Sequence, residues 1–129
     1  MTAATGTAIG SVAPVFCVTD MQAAMGYLGE CLGFAEVGRA GDPPVWASYV
    51  RGRIEVMLVC GDYPTAAQDW VAYFYVDDVD ALYTEFQTRG ARIKGPPVNK
   101  PYNNREIEVQ MPDGRVLAFG GPIPERKQT

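Results

Sequence analysis

The chain has 129 residues, 47% of them hydrophobic, and carries 11 Lys and Arg against 15 Asp and Glu, a formal charge of −4. This length fits one domain, or two small half-modules sharing a core. The charge argues against nucleic acid, which needs a dense positive surface to replace counterions, and suits a cationic small molecule better.

The opening residues lack a basic segment followed by an apolar run, so no secretory signal is expected. No stretch reaches the ~20 apolar residues that cross a bilayer, and the expectation is a cytoplasmic protein with no membrane partner. Cys17, Cys31 and Cys60 are odd in number and widely spaced, which reads as reduced, mostly buried thiols rather than disulfides or a zinc site. With no histidine in the chain, a nucleophilic cysteine would lack its usual base.

In chain order, residues 12–18 are an apolar run suited to a strand, with Pro14 at its edge or start. Thr19 and Gln22 have capping-box spacing, and the helix they open is expected to run to about Leu32, where Gly33 ends it. Gly26 and Gly29 each weaken that helix by about 1 kcal/mol relative to alanine, so packing must hold it. Residues 34–40 read as a strand and 41–44 as a loop. Residues 45–50 and 53–60 read as strands joined by a tight turn at Arg51-Gly52. The polar stretch 61–69 is the expected link to a second half.

That half opens with WVAYFYVDDVDALYTEF at 70–86, a strand that stops at two aspartates and turns into a helix closed by Gly90. Residues 91–94 read as a short strand broken at Gly95-Pro96-Pro97, and 99–104 as irregular. A hairpin pairs 105–111 with 115–119 across Pro112-Asp113-Gly114, and the tail after Gly120 is expected to be extended or mobile.

The strand–helix unit occurs twice, 58 residues apart: Val18 falls on Val76, and Asp20 on Asp78. Met21, Ala24, Met25 and Leu28 fall on Val79, Leu82, Tyr83 and Phe86, all non-polar or aromatic at the spacing of one buried helix face. The order is β-α-β-β-β, twice, which gives an α+β fold. We expect a single domain over 1–129, with module one at about 11–61, module two at about 69–122 and a tail at 123–129. Each helix covers one face of a four-stranded sheet and leaves the other as half of a cup. Paired half-cups form a lined cleft of the kind that holds ligands.

These residues resemble the vicinal oxygen chelate superfamily of glyoxalase I, bleomycin resistance proteins and extradiol dioxygenases. The likeness is carried by VTDMQAAMGYLGECLGF at 18–34, YFYVDDVDALYTEFQTRGARI at 73–93 and REIEVQMPDGRVLAFG at 105–120. It implies two βαβββ modules forming a paired, cup-shaped mixed β-sheet with the helices outside. The superfamily's metalloenzymes place ligands near the starts of the first and fifth strands and in the fourth and eighth. Laid on this chain, those positions are Ala13, Val71, Glu55 and Ala118. Three of the four cannot coordinate a metal, so the resemblance implies no metal, no cofactor and no catalytic residue. It points instead to the bleomycin resistance proteins, which bind a drug in grooves shared by a homodimer. The segment PYNNREIEVQMPDG at 101–114 resembles their corresponding strand and hairpin.

Strand alternation then selects the side chains that face the cup. Ala72, Phe74 and Val76 are assigned to the helix side, leaving Val71, Tyr73 and Tyr75. Ile54, Val56 and Leu58 are assigned inward, leaving Glu55, Met57 and Val59. Ile107 and Val109 are assigned inward, leaving Glu106, Glu108 and Gln110. Glu55, inside the apolar run IEVMLV, is the most informative charge, since a buried carboxylate needs a partner or a role. Its competing reading is an ion pair with Arg53, Arg105 or Arg115. Glu106 and Glu108 suit a bound cation or simply a solvated face. Tyr73 and Tyr75 suit stacking on a planar or cationic ligand, or core packing. Trp46 and Trp70 flank the cleft, and Tyr102 and Arg105 follow a proline-rich loop placed to act as a lid. Asp77, Asp78 and Asp80 read as helix caps and dipole partners rather than a metal triplet.

The expected ligand-binding set is therefore Glu55, Met57, Trp46, Tyr73, Tyr75, Tyr102, Arg105, Glu106 and Glu108. The expected function is metal-independent binding of a small aromatic or cationic molecule, in its most concrete form antibiotic sequestration of the bleomycin type by a homodimer. One alternative is a lyase, isomerase or dioxygenase of the same fold that uses Glu55. Another is an interaction module whose cleft is filled by its own side chains.

Overall fold

The computed structural model describes residues 6–61 and 70–124. In the first module β1 (Val15–Val18) leads into α1 (Met21–Gly26), which continues as a π turn (Tyr27–Cys31). Strands β2 (Ala35–Ala40), β3 (Trp46–Arg51) and β4 (Ile54–Cys60) follow. The second module holds β5 (Trp70–Tyr75), α2 (Val79–Arg89), the two-residue strands β6 (Arg92–Ile93) and β7 (Val98–Asn99), then β8 (Asn104–Gln110) and β9 (Val116–Pro122). The stretches 62–69, most of the expected link, and 125–129, most of the tail, lie outside the described residues.

Both helices start in the same way. The carboxylates of Asp20 and Asp78 accept the N–H groups of Ala23 and Ala81 at 3.0 Å, and each sits where negative charge also favours the helix dipole. The cap of α1 is therefore Asp20, not Thr19, and the repeated aspartate of the two segments is the capping residue. Gly33 (φ 74°) and Gly90 (φ 82°) take left-handed backbone conformations just past the helices, which a Cβ would strain. Past Gly26 the first helix widens into the π turn, where Leu32 N–H reaches back to the Tyr27 carbonyl at 3.1 Å. Tyr27 thereby turns inward, and its hydroxyl accepts the Arg92 N–H of the other module at 2.9 Å.

The two sheets share one topology. The first has strand order β1-β4-β3-β2 and the second β5-β9-β8-β6, with β7 added on β8. In each, the strand before the helix pairs in parallel with the module's last strand, and the remaining ladders are antiparallel. Helix α1 packs on β4, and α2 on β8 and β9. Met21, Ala24, Met25, Leu28, Val79, Leu82 and Phe86 are buried, and Tyr83 packs against the same cluster, which draws on both modules. The modules meet on this helix side. Phe34 and Phe74 lie edge to face at 6.4 Å, and Arg51 donates to the Leu32 carbonyl and to Glu85. Arg115 donates to the Cys17 carbonyl.

Four local expectations change. Arg51 pairs with Ile54, so the tight turn is Gly52-Arg53. Ile54 sits beside that turn, where the strand leaves the core, and is 44% exposed rather than packed inward. None of the three thiols is fully buried: Cys17 and Cys31 are half-buried, and Cys60, the last residue of β4, is exposed. The backbone past Gly120 stays in the sheet to Pro122, because Arg105 and Asn104 of β8 pair with Gly121 and Pro122. Among the described residues no helix is long and apolar enough to cross a membrane.

Candidate functional site

On the sheet faces turned away from the helices, the two modules carry different chemistry. In the first, Trp46, Ser48 and Val50 of β3 alternate with buried Ala47 and Tyr49. Half-buried Glu55, Met57 and Val59 of β4 alternate with buried Val56 and Leu58. The ladder sets Trp46 beside Val59 and Ser48 beside Met57. The buried Ser48 hydroxyl donates to Glu55 Oε2 at 2.6 Å. Of the expected arginine partners, Arg105 engages Asp80 and Arg115 engages Asp113, while Arg53 lies in the tight turn before β4. Among the described residues Glu55 has a serine for company and no ion pair.

In the second module the open face is an aromatic row. The Tyr73 ring lies 5.2 Å from Trp70 and 5.0 Å from Tyr75, centroid to centroid. Trp70 Nε1 donates to Glu108 Oε2 at 2.6 Å, and the Tyr73 hydroxyl donates to Glu106 Oε2 at 2.8 Å. Trp70 and Tyr73 belong to β5 and the glutamates to β8, with β9 between them. Both bonds therefore cross over β9. Beneath them the residues are small: Ala118 is paired with Glu108, and Gly120 with Glu106. The Tyr73 hydroxyl fills the space that a Cβ on Gly120 would need.

Glu106 is the centre of this face. It is only 2% exposed, and its Oε2 also accepts from the Tyr102 hydroxyl at 2.5 Å. Asn104 Nδ2 donates to the Tyr73 hydroxyl at 2.9 Å, which fixes Tyr73 as donor to Glu106. Glu106 Oε1 is buried with no hydrogen-bond partner among the described residues. The bond to Glu106 is the first cause that holds the Tyr102 phenol up, to about 12. Burial, then the same carboxylate, pushes the Tyr73 phenol up as well.

The structure thus gathers Tyr73, Tyr75, Tyr102, Glu106 and Glu108 on one open face and Trp46, Glu55 and Met57 on the other. Arg105 joins neither. Its position in β8 alternates with Glu106, so its guanidinium points to the helix side and holds Asp80 at 3.0–3.1 Å and Asn99 at 2.8 Å. Glu106 is buried rather than solvated, because Tyr73 and Tyr102 close over it. Sequence reasoning left out Ser48, Asn104 and Gly120 and used Trp70 only as a flank. The available signal was the run of small residues in β9 opposite two glutamates.

Charge is sorted between the two sides. Arg51, Arg89, Arg105 and Arg115 engage carboxylates away from the open faces, while Glu55, Glu106 and Glu108 stand on them. Lys94, 3.7 Å from Glu108, makes the one ion pair that reaches this set among the described residues. The four positions that hold metal in related folds do not fit a divalent ion. Ala13, Val71 and Ala118 have no donor atom, Ala118 is sealed under the Trp70–Glu108 bond, and one carboxylate falls short of the three or four donors required. No cluster of three His, Cys, Asp or Glu occurs among the described residues. A cleft of about 590 Å³ lies instead at the seam of the modules, walled by Arg51, Ile54, Phe74, Asp78 and Glu85. Tyr75 is the one candidate residue on its rim.

A family model, that of the Glyoxalase/Bleomycin resistance protein/Dioxygenase superfamily, matches residues 8–119. No curated protein sequence matches the chain. Solved structures do. The bleomycin-binding protein from bleomycin-producing Streptomyces verticillus, solved with copper(II)-bleomycin, is 22% identical over 93% of this chain and 100% of its own, with a TM-score of 0.73. TnmS3, an antibiotic binding protein from Streptomyces sp. CB03234, is 27% identical over 92% and 100%, with a TM-score of 0.69. A bleomycin resistance determinant encoded on the transposon Tn5 is 20% identical over 90% and 100%, with a TM-score of 0.72. Likeness at these identities carries the fold.

Proposed function

The chain belongs to the glyoxalase/bleomycin resistance protein/dioxygenase superfamily, and on that premise we propose that it binds a small aromatic, cationic molecule without metal or turnover. Sequestration of an antibiotic of the bleomycin type is the concrete form of this reading. The observation that carries it is the Trp70–Tyr73–Tyr75 row beside Glu106 and Glu108, a stacking surface bordered by carboxylates. Aromatic faces and carboxylates both attract a flat cation. Glu55, Met57 and Trp46 supply a second, sparser wall. Antibiotic-binding proteins of the same fold support the choice of ligand class.

The reading includes a single-domain chain that works as a cytoplasmic homodimer. Val15, Trp70, Val71, Tyr75, Val98 and Tyr102 are between 37% and 82% exposed, an apolar load suited to covering by a second copy. A partner's first-module wall placed against this row would make a closed groove.

The test is a thermal-shift titration with bleomycin and, separately, with divalent metals. A ligand of the folded state alone raises stability by about 2.7 kcal/mol at one hundred times its Kd. A rise with drug and none with metal is expected. A rise with zinc or nickel alone would contradict the reading. Sedimentation velocity checks the dimer, and a monomer at high micromolar concentration would remove that part.

A further inference from the structure

A carboxylate that is 98% buried, yet leaves one oxygen without a partner, needs a physical account, since nearly all buried polar atoms are paired. Glu106 is such a group. Its Oε2 is crowded, accepting from both Tyr73 and Tyr102, while Oε1 accepts from none of the described residues. The two donors are held very differently. Tyr73 is strapped over Gly120, between its neighbours Trp70 and Tyr75, and receives a bond from Asn104. Tyr102 is 55% exposed, stands in the turn between β7 and β8, and among the described residues its hydroxyl bonds Glu106 alone. That turn is closed by Lys100 N–H on the Asn104 carbonyl, and Asn103 within it has a φ of 71°.

We infer that Tyr102 is a displaceable latch, and that the ligand of this face carries a planar, forked cation (an amidinium or guanidinium) which replaces Tyr102 on Glu106 and takes up Oε1 as well. The inference rests on the reading that this face binds a small cationic molecule, and it names the group recognised. A forked N–H pair matches both oxygens of one carboxylate, and so makes two charge-assisted bonds, with a full cation, where the phenol makes one. Tyr73 stays in place and presents its ring to the ligand. Two lysines stand nearby. Both line a hollow of about 110 Å³ beside Glu106; Lys94 is drawn to Glu108, and neither lysine donates to Oε1.

The experiment is isothermal titration of the full chain with benzamidine, with its neutral counterpart benzamide, and with bleomycin. The variants are Tyr102→Phe, which keeps the ring and removes the competing hydroxyl, and Glu106→Gln, which keeps the shape and removes the charge. Tyr102→Phe should bind benzamidine about fivefold tighter, the worth of one released hydrogen bond. Glu106→Gln should weaken it by about tenfold or more, and benzamide should be indifferent to both changes. Weaker or unchanged benzamidine binding in Tyr102→Phe overturns the latch, as does Glu106→Gln binding equal to wild type. Bleomycin binding with no response to benzamidine overturns this inference alone. No response to any of the three compounds overturns it together with the reading beneath it.

Discussion

The two modules repeat one topology but not one surface, and the difference begins at a single strand. In the first module β4 points Glu55, Met57 and Val59 to the open face. In the second, β9 occupies the same place in the sheet and points Val116, Ala118 and Gly120 there. Long side chains on the middle strand keep its neighbours apart. Small ones let the neighbours reach over, and in the second module Trp70 and Tyr73 do so to meet Glu108 and Glu106. The strand that loses its metal-binding potential at Ala118 thereby gains a preorganised aromatic row. Duplication fixed the frame, and the sizes of two β9 residues decided what the second face became.

The comparison can be broken most sharply at Gly120. Gly120→Val should drive Tyr73 off β9, leave Glu106 short of a donor and cost about 3 kcal/mol, read by urea denaturation. Met57→Val, the change on the corresponding open face of the first module, should cost about 1 kcal/mol or less. Equal losses would remove the distinction between the two strands. Next in size is Tyr73→Phe, which deletes the hydroxyl between Asn104 and Glu106. About 1–2 kcal/mol of stability should go with it, together with near-ultraviolet circular dichroism from the aromatic row.

Arg105→Ala sharpens the contrast between the helix side and the open face. Losing its part-exposed bonds to Asp80 should lower stability by about 1 kcal/mol and leave bleomycin affinity unchanged. A large affinity loss would return Arg105 to the binding set. The smallest effect is a titration. Tyr102 has a folded pKa of about 12, above its unfolded value of 10.0, so its bond to Glu106 stabilises fully below pH 10 and is lost as the pH rises through about 12. In absorbance at 295 nm, Glu106→Gln should bring the last-titrating tyrosine down toward 10, and Tyr102→Phe should remove it.

The repeat, both helix stripes, the order of elements along the chain and the alternation in β4, β5 and β8 were legible because each depends on local spacing. Phe74, Val56 and Val109 went inward and Tyr73, Met57 and Glu108 outward, as period two requires. Arg105 was grouped with the cup residues because its loop context was weighed above its own alternation with Glu106, which turns it to the helix side. The burial of Glu106 was hidden for another reason. It depends on Tyr73, 33 residues away, and on a glycine in a third strand, and no local pattern carries that geometry. Glu55 looked buried from its apolar neighbours, yet its Ser48 partner emerged only once β3 and β4 were in register.

Central to this account is the aromatic and acidic face of the second module as the binding surface. Calorimetric titration of bleomycin into wild type, Tyr73→Phe, Glu106→Gln and Glu55→Gln tests it most directly. Saturable binding in wild type is predicted, with the largest loss in Glu106→Gln, about tenfold or more, and a smaller one in Glu55→Gln. Saturable binding that survives Glu106→Gln and Tyr73→Phe unchanged would place the ligand elsewhere, with the cleft at the module seam as the next surface to probe.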